Sequence, residues 1–140
     1  MNEDSSYSAV WQSTHIDNTL NPSWREVTIP MSKLCNGDIH RPMKIEIFDY
    51  EKSGKHVFMG QATGVSVSSM ISSGNTGFSV IEPEKQKRSN YTNSGMLKAQ
   101  NVSIEHVPTF ADVRKSFAYA FDSTYHRVYG SIFLVIVTST

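Results

Sequence analysis

Two carboxylates, Asp49 and Glu51, stand where a run of alternating residues stops. Met43, Ile45 and Ile47 are apolar and Lys44 and Glu46 are charged, the period-two pattern of a strand with one face buried and the other in water. Side chains two apart in an extended segment point the same way. Asp49 and Glu51 can therefore converge on one hard cation, with a backbone carbonyl as a further oxygen ligand. The loop that follows, Lys52-Ser53-Gly54-Lys55-His56, sets Lys52, Lys55 and His56 beside the acidic pair, where they would meet phosphates once a cation is held. The same residues also make an ordinary solvated hairpin turn, with the cations screening the carboxylates.

A second basic group, Lys85, Lys87 and Arg88, lies in the polar stretch 82–90. Near an anionic leaflet each such cation contributes about 1 kcal/mol; as part of a solvated connection it contributes nothing. Other chemistry lacks its residues. Cys35 has no neighbouring cysteine or histidine, and the five histidines show no ligand spacing. There is no glycine-rich phosphate loop and no nucleophile motif, so no catalytic residue and no enzyme is expected.

The elements that must position these groups are short. Strands are predicted over 10–16, 24–29, 43–47 with extended chain carried on to Asp49 and Glu51, 59–67, 78–81 and 95–107, broken by Asn21-Pro22, Asn36-Gly37 and Ser72-Ser73-Gly74. Residues 66–71 can close as a short helix. Trp11 and Trp24 belong to the core or its rim. Phe58 and Met59 open an outgoing strand, where core packing competes with insertion into a bilayer. Six short strands with regular turns and no sustained helical period predict an all-β antiparallel sandwich. The apolar run Ile132–Val137 would make a fully buried strand if it had sheet neighbours.

At 140 residues the chain is one domain's worth. Thirteen basic and thirteen acidic residues cancel, so no global field points to nucleic acid, and an electrostatic partner must be met by a local patch. One cysteine allows no internal disulfide. The start Met-Asn-Glu-Asp-Ser-Ser is neither basic nor apolar, and the longest apolar run is far too short to span a bilayer as a helix. The expectation is a cytoplasmic, reduced protein.

Taken in order, Asn18-Thr19-Leu20-Asn21-Pro22-Ser23-Trp24, Leu34-Cys35-Asn36-Gly37-Asp38, Phe48-Asp49-Tyr50 with Gly54, His56 and Gly60, Ile81-Glu82-Pro83 before a basic run, and Asn90-Tyr91-Thr92-Asn93-Ser94-Gly95 resemble the second C2 domain of a copine, nearest the plant BONZAI type. The resemblance covers about residues 2–112. It implies an eight-stranded C2-type sandwich whose loops at one end bind calcium and then phospholipid, in a cytoplasmic protein recruited to the plasma membrane when calcium rises. It also implies that this chain is incomplete at its N-terminus, with the first two strands and the first calcium loop missing.

In the remaining calcium loop Asp49 matches the first family aspartate, Glu51 stands in place of the second, and Val57 in place of the third. Two carboxylates against the six to eight oxygens that calcium prefers predict weak or lost calcium binding. The implied partner is an anionic phospholipid membrane, bound peripherally. The alternatives are a calcium-independent interaction module, with another C2-containing protein as partner, or a non-functional truncated product. Residues 1–112 form the partial C2 domain, and residues 113–140 are an atypical tail of unassigned structure. A sheet edge left open by two absent strands needs covering, and the tail strand is a candidate replacement.

Overall fold

The strand that carries Asp49 is β3 of a two-sheet sandwich. A computed structural model of the chain describes residues 7–74, 76–108, 113–125 and 131–139. In chain order the elements are β1 (Tyr7–Gln12), β2 (Val27–Pro30), α1 (Met31–Cys35), β3 (Met43–Tyr50), β4 (Val57–Val65), α2 (Val67–Ser73), β5 (Phe78–Val80), β6 (Gly95–Pro108), β7 (Val113–Tyr125) and β8 (Ser131–Ser139). They form two four-stranded antiparallel sheets, ordered β1-β8-β3-β4 and β2-β7-β6-β5. The antiparallel sandwich expected from the turn spacing is the observed fold, and the six strands anticipated before residue 109 all form.

Alternation decides which residues enter the core. Met43, Ile45 and Ile47 of β3 are buried, while Lys44 and Glu46 between them are half-exposed and form an ion pair 2.9 Å long. From the other strands Ile29, Ala62, Val65, Val80, Leu97, Ala99 and Ile136 join them. Trp24 is buried in this cluster, whereas Trp11 lies partly buried against it. Met59 packs on the core, and Phe58 instead sets its ring edge-on to Phe48, with centroids 5.6 Å apart. Cys35 is buried, as its isolation in the sequence suggested.

The two short helices close one end of the sandwich. α1 has no counterpart in the sequence expectations, because five residues after a proline carry no periodic signal. It forms because Met31, Leu34 and Cys35 bury together, and it stops where Asn36 turns left-handed (φ 54°) and the Gly37 N–H reaches back to the Met31 carbonyl at 3.1 Å. α2 opens on a reciprocal cap: the Ser66 hydroxyl accepts from the Ser69 N–H at 3.0 Å, and the Ser69 hydroxyl accepts from the Ser66 N–H at 2.8 Å. The Ser68 N–H bonds the Ile39 carbonyl at 2.9 Å and ties the two connections together.

The C-terminal residues, unassigned from sequence, supply β7 and β8, and both lie inside sheets. β8 pairs with β1 and β3, and β7 pairs with β2 and β6. The run 132–137 therefore has its two strand neighbours, and Ile136 is fully buried. In the described pairing β1 and β2 have no other strand partner, so the edge that six strands alone would leave open is filled from the C-terminus. At the far side β4 and β5 join across the sheets through a bridge in which Gln61 and Ile81 exchange two backbone hydrogen bonds of 2.9 and 2.8 Å. Gly60 permits that approach, since a Cβ there would lie 2.7 Å from Val80 Cγ1.

Candidate functional site

Strand register gathers the chemistry-bearing loops at the end opposite the helices. β3 ends at Tyr50, paired with Ser131, and β6 begins at Gly95, paired with Tyr125. Tyr125 and Ser131 are six residues apart in the chain, so both sheets present these strand ends on one side. Among the described residues three connections leave from there: 13–26 after β1, 51–56 between β3 and β4, and 81–94 between β5 and β6. All the sequence-predicted site residues lie on the last two or at the end of β3.

Asp49 keeps the phase of Ile45 and Ile47 and points inward at the rim, with one carboxylate oxygen, Oδ1, shielded from solvent. Glu51 is exposed, because strand alternation stops at Tyr50 and Glu51 opens a turn closed by the Gly54 N–H on its carbonyl at 2.9 Å. The convergence expected from residues two apart assumes extended chain through Glu51, and the turn ends that condition. Val57, in register with Asp49, is 54% exposed. Among the described residues no three His, Cys, Asp or Glu side chains come together to hold a metal ion. The residues present therefore do not by themselves fit a full calcium shell.

His56 belongs to the turn's architecture. Its Nδ1 accepts the Glu51 N–H at 3.0 Å, and its ring stacks on Tyr50 with centroids 5.0 Å apart. Tyr50 also stacks on His15, at 4.0 Å and an interplanar angle of 10°. His15 in turn lies 3.7 Å from Asp17. This histidine–tyrosine–histidine group links connection 13–26 to the acidic turn. Sequence reasoning missed His15, and no local signal could have found it, since thirty-five residues separate it from Tyr50. Lys52 and Lys55 are exposed on the turn.

Connection 81–94 is a series of turns held by Tyr91, whose hydroxyl accepts the Glu82 N–H at 2.9 Å and lies 2.7 Å from the Ser94 hydroxyl. Its cations are partly neutralised from within. Lys85 pairs with Glu82 at 2.6 Å and Lys87 with Glu84 at 3.8 Å. Arg88 makes no ion pair among the described residues. The structure thus brings Lys52, Lys55, His56, Lys85, Lys87 and Arg88 to one end of the fold together with Asp49 and Glu51.

An ionisable group that its surroundings do shift lies elsewhere, at the end of α1. Burial pushes the Cys35 thiol above its ordinary pKa; Asp38 adds to this, while the Gly37 backbone and Arg41 oppose it. Among the described residues no helix is long and apolar enough to cross a membrane.

Comparison with known proteins adds two findings. The C2 domain family matches residues 6–78. Copine-D of Dictyostelium discoideum is 36% identical over 103 residues, covering 74% of this chain and 19% of that protein. The chain thus spans about a fifth of the length of that relative. No solved structure matches.

Proposed function

We propose that this chain, which belongs to the C2 domain family, is the peripheral membrane-binding module of a copine-like protein and meets anionic phospholipid with the end that carries connections 51–56 and 81–94. The observation that carries this reading is the register that puts Lys52, Lys55, His56 and Arg88 on the same end as Asp49 and Glu51. The plant branch of the copines is the finer assignment and rests on motif order alone. The module is a binding device rather than an enzyme, acting from the cytoplasm on the inner leaflet of the plasma membrane.

Calcium dependence is what the family-level likeness supports. Asp49 and Glu51 stand at the positions that the likeness assigns to calcium, but Asp49 turns inward and Glu51 outward, so these two side chains alone do not converge on an ion. Two carboxylates offer too few oxygens for calcium, so affinity in the absence of lipid is weak.

Cosedimentation with phosphatidylserine-containing vesicles, in millimolar calcium and in chelator, tests the proposal. Binding in calcium that falls in chelator and is absent from pure phosphatidylcholine is the expected result. No binding under any condition overturns it. The exposure of Val57 beside Asp49 favours a second reading, a calcium-independent interaction module with another C2-containing protein as partner. That reading predicts no vesicle binding and unchanged thermal stability when calcium is added.

A further inference from the structure

We propose that Ser89 is a phosphorylation site for a serine/threonine kinase that selects basic residues, and that its phosphate reverses the charge of connection 81–94. This regulatory step rests on the membrane-binding reading above.

Ser89 is exposed, sits in a turn, and makes no side-chain hydrogen bond among the described residues. Its backbone lies within the turn closed by the Tyr91 N–H on the Arg88 carbonyl at 3.2 Å. Immediately before it run Lys85-Gln86-Lys87-Arg88, the basic approach that an acidic kinase groove reads. Ser53 in the turn after β3 and Ser72 in α2, also exposed, have no comparable basic run before them.

The electrostatic effect follows from the ion pairs. Glu82 and Glu84 are matched by Lys85 and Lys87, so the surplus positive charge of the segment is that of Arg88. The kinase would transfer the γ-phosphoryl group of ATP: a bond forms between Ser89 Oγ and phosphorus, the bond to the β–γ bridging oxygen breaks, ADP leaves, and the hydroxyl proton passes to the kinase's base. A phosphoserine carries about −1.5 to −2 at neutral pH, so a segment of net charge about +1 becomes net negative. An anionic leaflet that attracted this connection would then repel it.

The test uses the full chain, a basic-directed kinase such as the catalytic subunit of protein kinase A, and ATP. Phosphate is located by mass spectrometry, and phosphatidylserine vesicle binding is measured before and after. The expected result is phosphate on Ser89 and binding roughly tenfold weaker, with Ser89→Ala binding like the parent but insensitive to the kinase. Ser89→Asp, which needs no kinase, should show a smaller loss in the same direction. Absence of phosphate at Ser89, or phosphate and Ser89→Asp both without effect on binding, overturns this inference and leaves the membrane reading standing. Failure of the unmodified chain to bind vesicles overturns the membrane reading, and the regulatory step with it.

Discussion

Ile136→Ala is the substitution that most directly tests the interior place of β8. Ile136 is fully buried, in register with Ile45 on one side and Trp11 on the other, and belongs to the hydrophobic cluster between the sheets. Truncation to alanine removes about three buried carbons at about 0.8 kcal/mol each, or about 2.4 kcal/mol of transfer free energy. A cavity of roughly 50 Å³ left behind adds about 1 kcal/mol. The total, about 3.5 kcal/mol, falls within the range seen when buried isoleucines are truncated. For a domain of this size it lowers the melting temperature by roughly 12 °C. Thermal melts followed by circular dichroism in the β band, with urea titrations for the free energy, would measure it. Val57→Thr is the control: at 54% exposure it should change stability by less than about 1 kcal/mol. If Ile136→Ala melted within about 2 °C of the parent, β8 would not lie between β1 and β3, and the sheet order β1-β8-β3-β4 would fall.

Three further outcomes follow from named contacts. Gly60→Ala should destabilise by about 2 kcal/mol or more, because its Cβ would meet Val80 Cγ1 at 2.7 Å and the Ile81 carbonyl at 3.2 Å where β4 and β5 join; a melt unchanged from the parent would refute that close approach. Ser66→Ala removes the acceptor for the Ser69 N–H at the start of α2 and should cost about 1 kcal/mol by urea denaturation, against a negligible change for Ser72→Ala at the exposed end of the helix. The Cys35 thiol should react with a disulfide reagent slowly in the native protein and rapidly in urea. Because burial raises its pKa in the fold, its contribution to stability is full below the unfolded thiol's pKa and is lost as pH rises through the folded value, so the parent should lose stability relative to Cys35→Ala above about pH 9. Fast native reactivity would show that α1 does not seal the thiol.

How much the sequence determined can be seen strand by strand. Alternation in 43–47 and the turn residues at Asn21-Pro22, Asn36-Gly37 and Gly74 suffice for β1 to β6, since these are properties of adjacent residues. The serines opening α2 are equally local. Asp49, Glu51 and the two basic groups could be picked out because charge in a glycine-containing loop is visible without knowing what faces it. The order of motifs also pointed to the copine-like C2 likeness.

What a strand pairs with is a different matter. Ile132–Val137 has the same apolar pattern whether it is a buried strand or an unpartnered tail, and only pairing with β1 and β3, both distant in the chain, made it the interior strand of a sheet. The same holds at the candidate site. The stacking of His15 on Tyr50 needs the sheet to bring residues thirty-five apart into contact, and the outward swing of Glu51 depends on where the turn cuts the alternation that carries Asp49 inward. The ion pairs that take up Lys85 and Lys87, and so leave Arg88 as the unmatched cation of its segment, depend on how that connection coils. Local periodicity sets which face of a segment seeks burial. Long-range pairing, whose free energy depends on the partner surface and not on the segment alone, decides against what it is buried and which charges remain to meet a ligand.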